Sequence, residues 1–183
     1  SVTVSREAAE AEARCCMNCG CYSVNASDLS PVLVALGATV KTTKREIAAA
    51  ALFTEELKVK DKLEPDEIVT EVSIPVTEGA VTHYDKFRLR DSVDFAMVSL
   101  ASSYELDDGK IKSASLVFGG VAPVPLRREA AERYLVGREP DEETAQEAAR
   151  LALEGAAPFE KNAYKVQVAQ TLVKQSVLRL RGS

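Results

Sequence analysis

Four cysteines stand within seven positions, Cys15, Cys16, Cys19 and Cys21, in the pattern C-C-x-x-C-x-C, and they are all the cysteines of the chain. Thiolates are the usual ligands of iron–sulfur clusters, and Cys-x-x-Cys is a good chelating spacing. Cys15 and Cys16 cannot pair with each other without strain, and two adjacent thiolates crowd a single cluster. Cluster ligands, free thiols of a surface loop, and a redox couple all remain open. The last has no thioredoxin-like βαβ setting around it. Histidine is nearly absent: His83 is the only one. A histidine-based triad would rest on it alone, and no G-x-S-x-G elbow accompanies it. A zinc site with mixed ligands is poorly supported for the same reason. His83 is expected to be an ordinary surface or strand-end residue.

The composition narrows the field. Of 183 residues, 46% are hydrophobic and 28% charged, with a net charge of −5. That is enough apolar material for a core without disulfide staples, in one large domain or two small ones. No Lys/Arg run or basic stripe is present, which argues against electrostatic binding of nucleic acid. No apolar stretch reaches membrane-spanning length, and no signal peptide is visible. A reducing, cytoplasmic setting is the expectation, where clustered cysteines serve as ligands or thiols more often than as disulfides.

The elements that must position any chemistry follow from pattern. "SREAAEAEAR", residues 5–14, reads as a polar helix with little apolar face, capped by Ser5. "SDLSPVLVALGATV" predicts a short helix capped by Ser27 or Asp28, with Pro31 in its first turn and Gly37 at its end, then a strand over 38–41. "KREIAAAALFTEEL" is ambiguous between helix and strand plus loop. A strand is expected over 68–74, stopped by Pro75. "HYDKFRLR" and "DSVDFAMVSLASSYEL" read as strands, and Asp107-Asp108-Gly109 as a hairpin turn into "KIKSASLVFGGV". Gly119-Gly120 suits a close backbone approach or a bulge. Three helices finish the chain. The first ends at Gly137. The second is capped by Asp141 and ends at Gly155. The third carries Ala169, Leu172, Val173, Ser176 and Leu180 on one stripe. Helices after an antiparallel sheet make an α+β layer, with a seam between two parts near residues 75–80.

Taken in order, these segments resemble the FAD-binding (medium) subunit or domain of the xanthine dehydrogenase and carbon monoxide dehydrogenase family, the molybdenum hydroxylases. "SDLSPVLVALGATV" and "LEPDEIVTEVSIP" stand at the family's distance from each other. "YDKFRLRDSVDFAMVSLA" is similar to its Y-x-K-F-x-x-R-x-x-x-D-x-A strand, and "LVFGGVAPVPLRREAAERYLVG" to its GG-x-A-x-x-P-x-R turn and helix. "YKVQVAQTLVKQSVLRL" resembles the closing helix. The resemblance covers roughly residues 21–180. It implies the C-terminal part of a vanillyl-alcohol-oxidase-type FAD domain over 1–79, followed by an α+β domain, an antiparallel sheet with three C-terminal helices, over 80–183. It also implies electron transfer from iron–sulfur clusters to FAD and on to an acceptor, in company with a molybdenum-binding large subunit and an iron–sulfur small subunit.

The same resemblance assigns residues. Asp28 matches an aspartate that contacts the nucleotide half of FAD, a role compatible with capping. Val69 matches an apolar position at the isoalloxazine. Lys86 matches a lysine at the flavin's pyrimidine edge, where a cation favours negative charge. Asp94 is expected to fix the local loop, and Arg90 and Asp91 to form structural or solvent pairs of little energetic weight. Cys21-Tyr22 resembles the end of an insertion that in some members carries an additional [4Fe-4S] cluster, which makes Cys15, Cys16, Cys19 and Cys21 candidate ligands. One departure stands out. The family's G-G-T and G-G-N loops, whose backbone N–H groups cradle the pyrophosphate, are not in this sequence. The chain is therefore expected to be the C-terminal portion of a flavin subunit whose N-terminal flavin half is missing here, being on another polypeptide, removed or not included, and alone to be inactive and to bind FAD weakly or not at all. A non-catalytic assembly module of such a complex and a cysteine-rich metal-binding protein are the alternatives.

Overall fold

The computed structural model describes residues 24–53, 62–91 and 93–182. The four cysteines and the expected helix over 5–14 lie outside them.

Helix α1 (Leu29–Ala35) turns Ser30, Pro31, Leu33, Val34 and Ala35 inward and leaves Leu29 exposed. Gly37, at φ +64, ends it in the left-handed conformation that only glycine adopts freely. The chain then enters a three-stranded antiparallel sheet of β1 (Thr39–Thr42), β2 (Glu46–Ala48) and β3 (Val69–Ser73), in the order β2-β1-β3. The ambiguous stretch after Lys44 resolves as strand β2 followed by the single turn α2 (Ala49–Leu52). Its alanine run is short of the length at which helix propagates unaided.

Glu67 locks this unit. Its buried carboxylate accepts hydrogen bonds from Thr42 Oγ1 at 2.7 Å, Arg45 Nε at 2.9 Å and the Glu64 N–H at 2.9 Å. The Arg45 guanidinium, with the Glu64 N–H and the Thr42 hydroxyl, drives the Glu67 carboxyl down to about 2.

The second sheet is antiparallel, in the order β4-β5-β6-β7, over Val81–Phe87, Val98–Asp107, Lys110–Gly119 and Leu126–Arg127. The hairpin between β5 and β6 closes on Asp108 and Gly109, both at positive φ, 47° and 75°. Two successive positive φ values are the I′ geometry whose twist matches that of the strands. β4 is shorter than its sequence suggests: the run "RLR" leaves the sheet after Phe87, and β5 begins only at Val98.

Alternation along the strands sends Leu100, Tyr104, Leu116 and Phe118 to one face, all fully buried. There they meet α3 (Glu129–Leu135), α4 (Glu142–Ala152) and α5 (Tyr164–Leu178) in one apolar cluster. Ala101 and Val117 face the other way, beneath α1, in a second cluster with Leu33, Val34 and Val40. The sheet is thus covered on both faces, and α1 joins the two sheets through a shared core. The Asp141 carboxylate caps α4 by accepting from the Thr144 N–H at 2.7 Å. The expected stripe is buried throughout, with Leu180 in the 3-10 turn that follows α5, and Ser176 Oγ lies 2.7 Å from both Ser102 Oγ and Tyr104 Oη, tying the helix to the sheet.

Candidate functional site

The N-terminus of α1 and the strand β4 bring three polar side chains together. Asp28 occupies the N-cap position, but its carboxylate does not cap the helix. Ser27 does so instead, its Oγ accepting from the Ser30 N–H at 3.1 Å. The two carboxylate oxygens of Asp28 are thereby free to reach across to β4. Tyr84 Oη donates to Oδ1 at 2.7 Å, and Lys86 Nζ donates to Oδ2 at 2.6 Å. Tyr84 and Lys86 share a face because side chains two apart on a strand point the same way. Lys86 is mostly buried, its side chain 18% exposed, while that of Asp28 is 51% exposed. The open side of the cluster therefore presents the carboxylate edge.

The electrostatics follow from this packing. Partial burial works against the charged form of Asp28, but the Lys86 and Tyr84 hydrogen bonds and the Lys86 charge outweigh it, holding the carboxyl below its ordinary value. Burial pushes the Tyr84 phenol up to about 12. Ser99 counters this in part, and the Asp28 carboxylate reinforces it. At neutral pH the cluster is a carboxylate held between an ammonium and an un-ionised phenol.

Lys86 and Asp28, 58 residues apart in sequence, are two of the three side chains assigned by resemblance. Val69, the third, belongs to the other sheet, on edge strand β3, where all five residues are exposed and Val69 itself is 41% exposed. Tyr84 was not singled out by the sequence, although its spacing of two from Lys86 on a strand was the available signal. Asp94 accepts from Arg90 Nε and the Phe95 N–H, both at 2.9 Å, and so braces the β4–β5 connection. Arg88 pairs with Asp91 at 2.7 Å, and these pairs are largely exposed. His83 points to the opposite face of β4 from Tyr84. Its Nε2 is buried with no hydrogen-bond partner among the described residues, so it carries no triad there. No group of three or more metal-ligating side chains occurs among the described residues.

A larger cleft, about 510 Å³, lies between the end of α1, residues 74–77 and a floor of Thr82, Ser103, Glu105 and Ser115. Its charged side chains are paired, as Asp28 and Lys86 are, Glu105 with Lys112 and Arg127 with Glu132. The Asp28–Tyr84–Lys86 cluster is the better candidate because its charged groups meet at an open edge flanked in sequence by the exposed apolar residues Leu29 and Phe87.

Comparison with known proteins gives an independent measure. Residues 82–180 match the CO dehydrogenase flavoprotein C-terminal domain, and residues 20–77 match the FAD binding domain in molybdopterin dehydrogenase. Aldehyde oxidase 4 of Rattus norvegicus is 33% identical over 136 residues, 70% of this chain and 10% of that protein. The glyceraldehyde dehydrogenase medium chain of Sulfolobus acidocaldarius is 29% identical over 128 residues, 68% of this chain and 44% of that protein. Among solved structures, CO dehydrogenase from Oligotropha carboxidovorans superposes with a TM-score of 0.75 at 27% identity, over 84% of this chain and 56% of that one. Quinoline 2-oxidoreductase from Pseudomonas putida 86 also gives a TM-score of 0.75, at 24% identity over 95% of this chain and 59% of that one, a likeness of fold. The chain thus spans between a tenth and three fifths of the length of these relatives.

Proposed function

The chain belongs to the FAD-binding subunits and domains of the xanthine dehydrogenase and CO dehydrogenase type, and from that membership we propose that it serves as the FAD-binding, electron-transfer component of a molybdenum hydroxylase-type oxidoreductase. Electrons would arrive from iron–sulfur clusters and leave to an acceptor, with a molybdenum-binding large subunit and an iron–sulfur small subunit as partners. On this reading residues up to about 79 are part of the flavin-binding domain, and residues from about 80 form the second domain. The pyrophosphate of FAD would be held by a separate glycine-rich portion.

The observation that carries the reading is the meeting of Asp28 and Lys86 at 2.6 Å. The residues fit a flavin nucleotide. Such a ligand offers hydroxyl and amine donors for a carboxylate, electron-rich oxygens for an ammonium, and a flat apolar ring for exposed aliphatic side chains. Asp28 would accept from the nucleotide half. Lys86 would place positive charge beside the ring edge, where it favours an electron-rich ligand. Val69 would supply apolar contact. Bound FAD supplies the redox chemistry, and these side chains supply position and field.

Flavin fluorescence tests this in the chain combined with the glycine-rich flavin portion of a relative. Quenching on titration supports the reading, and a combination that leaves free FAD fluorescence unchanged rejects it. Ligation of an iron–sulfur cluster by Cys15, Cys16, Cys19 and Cys21 is a separate expectation. Iron and acid-labile sulfide in anaerobically prepared protein would support it, and protein with neither would reject it.

A second reading has its own observation. Among the described residues strand β3 is an edge strand, and Val69 and Val72, with Ile68 before it and Ile74 after it, are 41–66% exposed. An unpaired apolar edge invites another chain. A non-catalytic assembly module would use it to dock a partner subunit. A strict monomer by mass measurement, with no affinity for either partner subunit, would remove this reading.

A further inference from the structure

Asp28 divides its two oxygens between two donors of different kind. Lys86 is a cation that an electron-rich ligand can draw away, whereas Tyr84 is a neutral phenol that such a ligand has little reason to recruit. The pair of Asp28 and Lys86 is self-neutralising, so any ligand that takes up the ammonium leaves a carboxylate with one donor fewer. An uncompensated carboxylate in a partly desolvated site is costly and would pull the ammonium back.

We propose that Tyr84 is the positioning residue of this site, holding Asp28 in place through Oδ1 so that Lys86 can turn to a ligand without leaving the carboxylate unpartnered; this rests on the flavin reading above. Three observations support it. The Tyr84 hydroxyl is 2.7 Å from Oδ1 and makes no competing bond to Oδ2. Tyr84 and Lys86 leave the same face of β4, so the phenol stays beside Asp28 whichever way the lysine turns. Burial and the Asp28 carboxylate hold the phenol in its protonated, donating form. The other groups acting on the cluster are Ser99, which faces Tyr84, and Asp94, which feels the Lys86 charge.

The test needs no flavin for its first half. Carbon-13 NMR of the Asp28 carboxyl gives its titration midpoint in the 183-residue chain and in Tyr84→Phe, which keeps the ring and loses only the hydroxyl. The expected result is a higher midpoint in Tyr84→Phe, and a further rise when Tyr84→Phe is added to Lys86→Met. A midpoint unmoved by Tyr84→Phe in both backgrounds overturns the proposal. In the second half, the FAD affinity of the chain combined with the glycine-rich flavin portion of a relative should fall roughly tenfold in Tyr84→Phe, as expected for one hydrogen bond to a charged group. An unchanged affinity also overturns the proposal. If FAD does not bind that combination with the wild-type chain, the flavin reading fails, while the carboxyl titration still decides whether Tyr84 holds Asp28.

Discussion

At the scale of single residues, two carboxylates define the molecule's responses. Asp28 meets solvent and a lysine, and Glu67 is buried among an arginine, a threonine hydroxyl and a backbone N–H. The folded value of Glu67, about 2, is below its ordinary 4.5. A depressed carboxyl stabilises the fold above its unfolded value and loses that contribution as pH falls towards the folded value. Stability should therefore decline between about pH 4.5 and 2. Glu67→Gln should flatten that part of an acid-unfolding curve, and an unchanged slope would show that Glu67 does not set it. Ser27 offers a further lesson in scale. Both Ser27 and Asp28 were candidate caps in the sequence, and the serine takes the cap. That substitution frees Asp28 for β4, and it could not be read from spacing because the competing donors lie far along the chain.

At the scale of elements, α1 sits close against the second sheet because of Gly119. A Cβ there would lie 2.5 Å from Ser99 Oγ and 3.2 Å from Pro31 Cγ. Gly119→Ala should cost about 1–3 kcal/mol in chemical denaturation, the usual range for overpacking. Adding Ser99→Ala should recover part of that loss, because it removes the atom in closest conflict. No recovery would place the strain elsewhere. Gly119 of β6 sits between Pro31 of α1 and Ser99 of β5, the strand that pairs with β4, so Gly119→Ala should also disturb the Asp28–Lys86 pair. The elements themselves were legible where pattern is local. The α1 stop at Gly37, the Asp108-Gly109 hairpin, the Asp141 cap and the α5 stripe all follow from short-range chemistry. The end of β4 did not. "RLR" continues the alternation of a strand, but Arg88 and Arg90 find their partners Asp91 and Asp94 within the connection itself. These exposed pairs carry little energy, so they accompany the departure from the ladder and do not cause it.

At the scale of the whole molecule, two cores lie on opposite faces of the second sheet, one with the three C-terminal helices and one with α1 and the three-stranded sheet. The pairing of Asp28 with Lys86 depends on that arrangement. Their assignment rested on resemblance of segments, whereas their contact comes from tertiary packing that no single segment encodes. Tyr84 was missed for the same reason. The exposed edge strand β3 and the cleft below residues 74–77 are two other surfaces where a ligand could settle. NMR titration with FAD of the isotopically labelled 183-residue chain, combined with the glycine-rich flavin portion of a relative, separates these surfaces directly. The expected result is that perturbed signals gather at Asp28, Val69, Tyr84 and Lys86, and that Lys86→Met weakens the response about tenfold or more. Perturbations centred on Ser103, Glu105 and Ser115, a response unchanged by Lys86→Met, or no response at all would contradict the assignment of the flavin site.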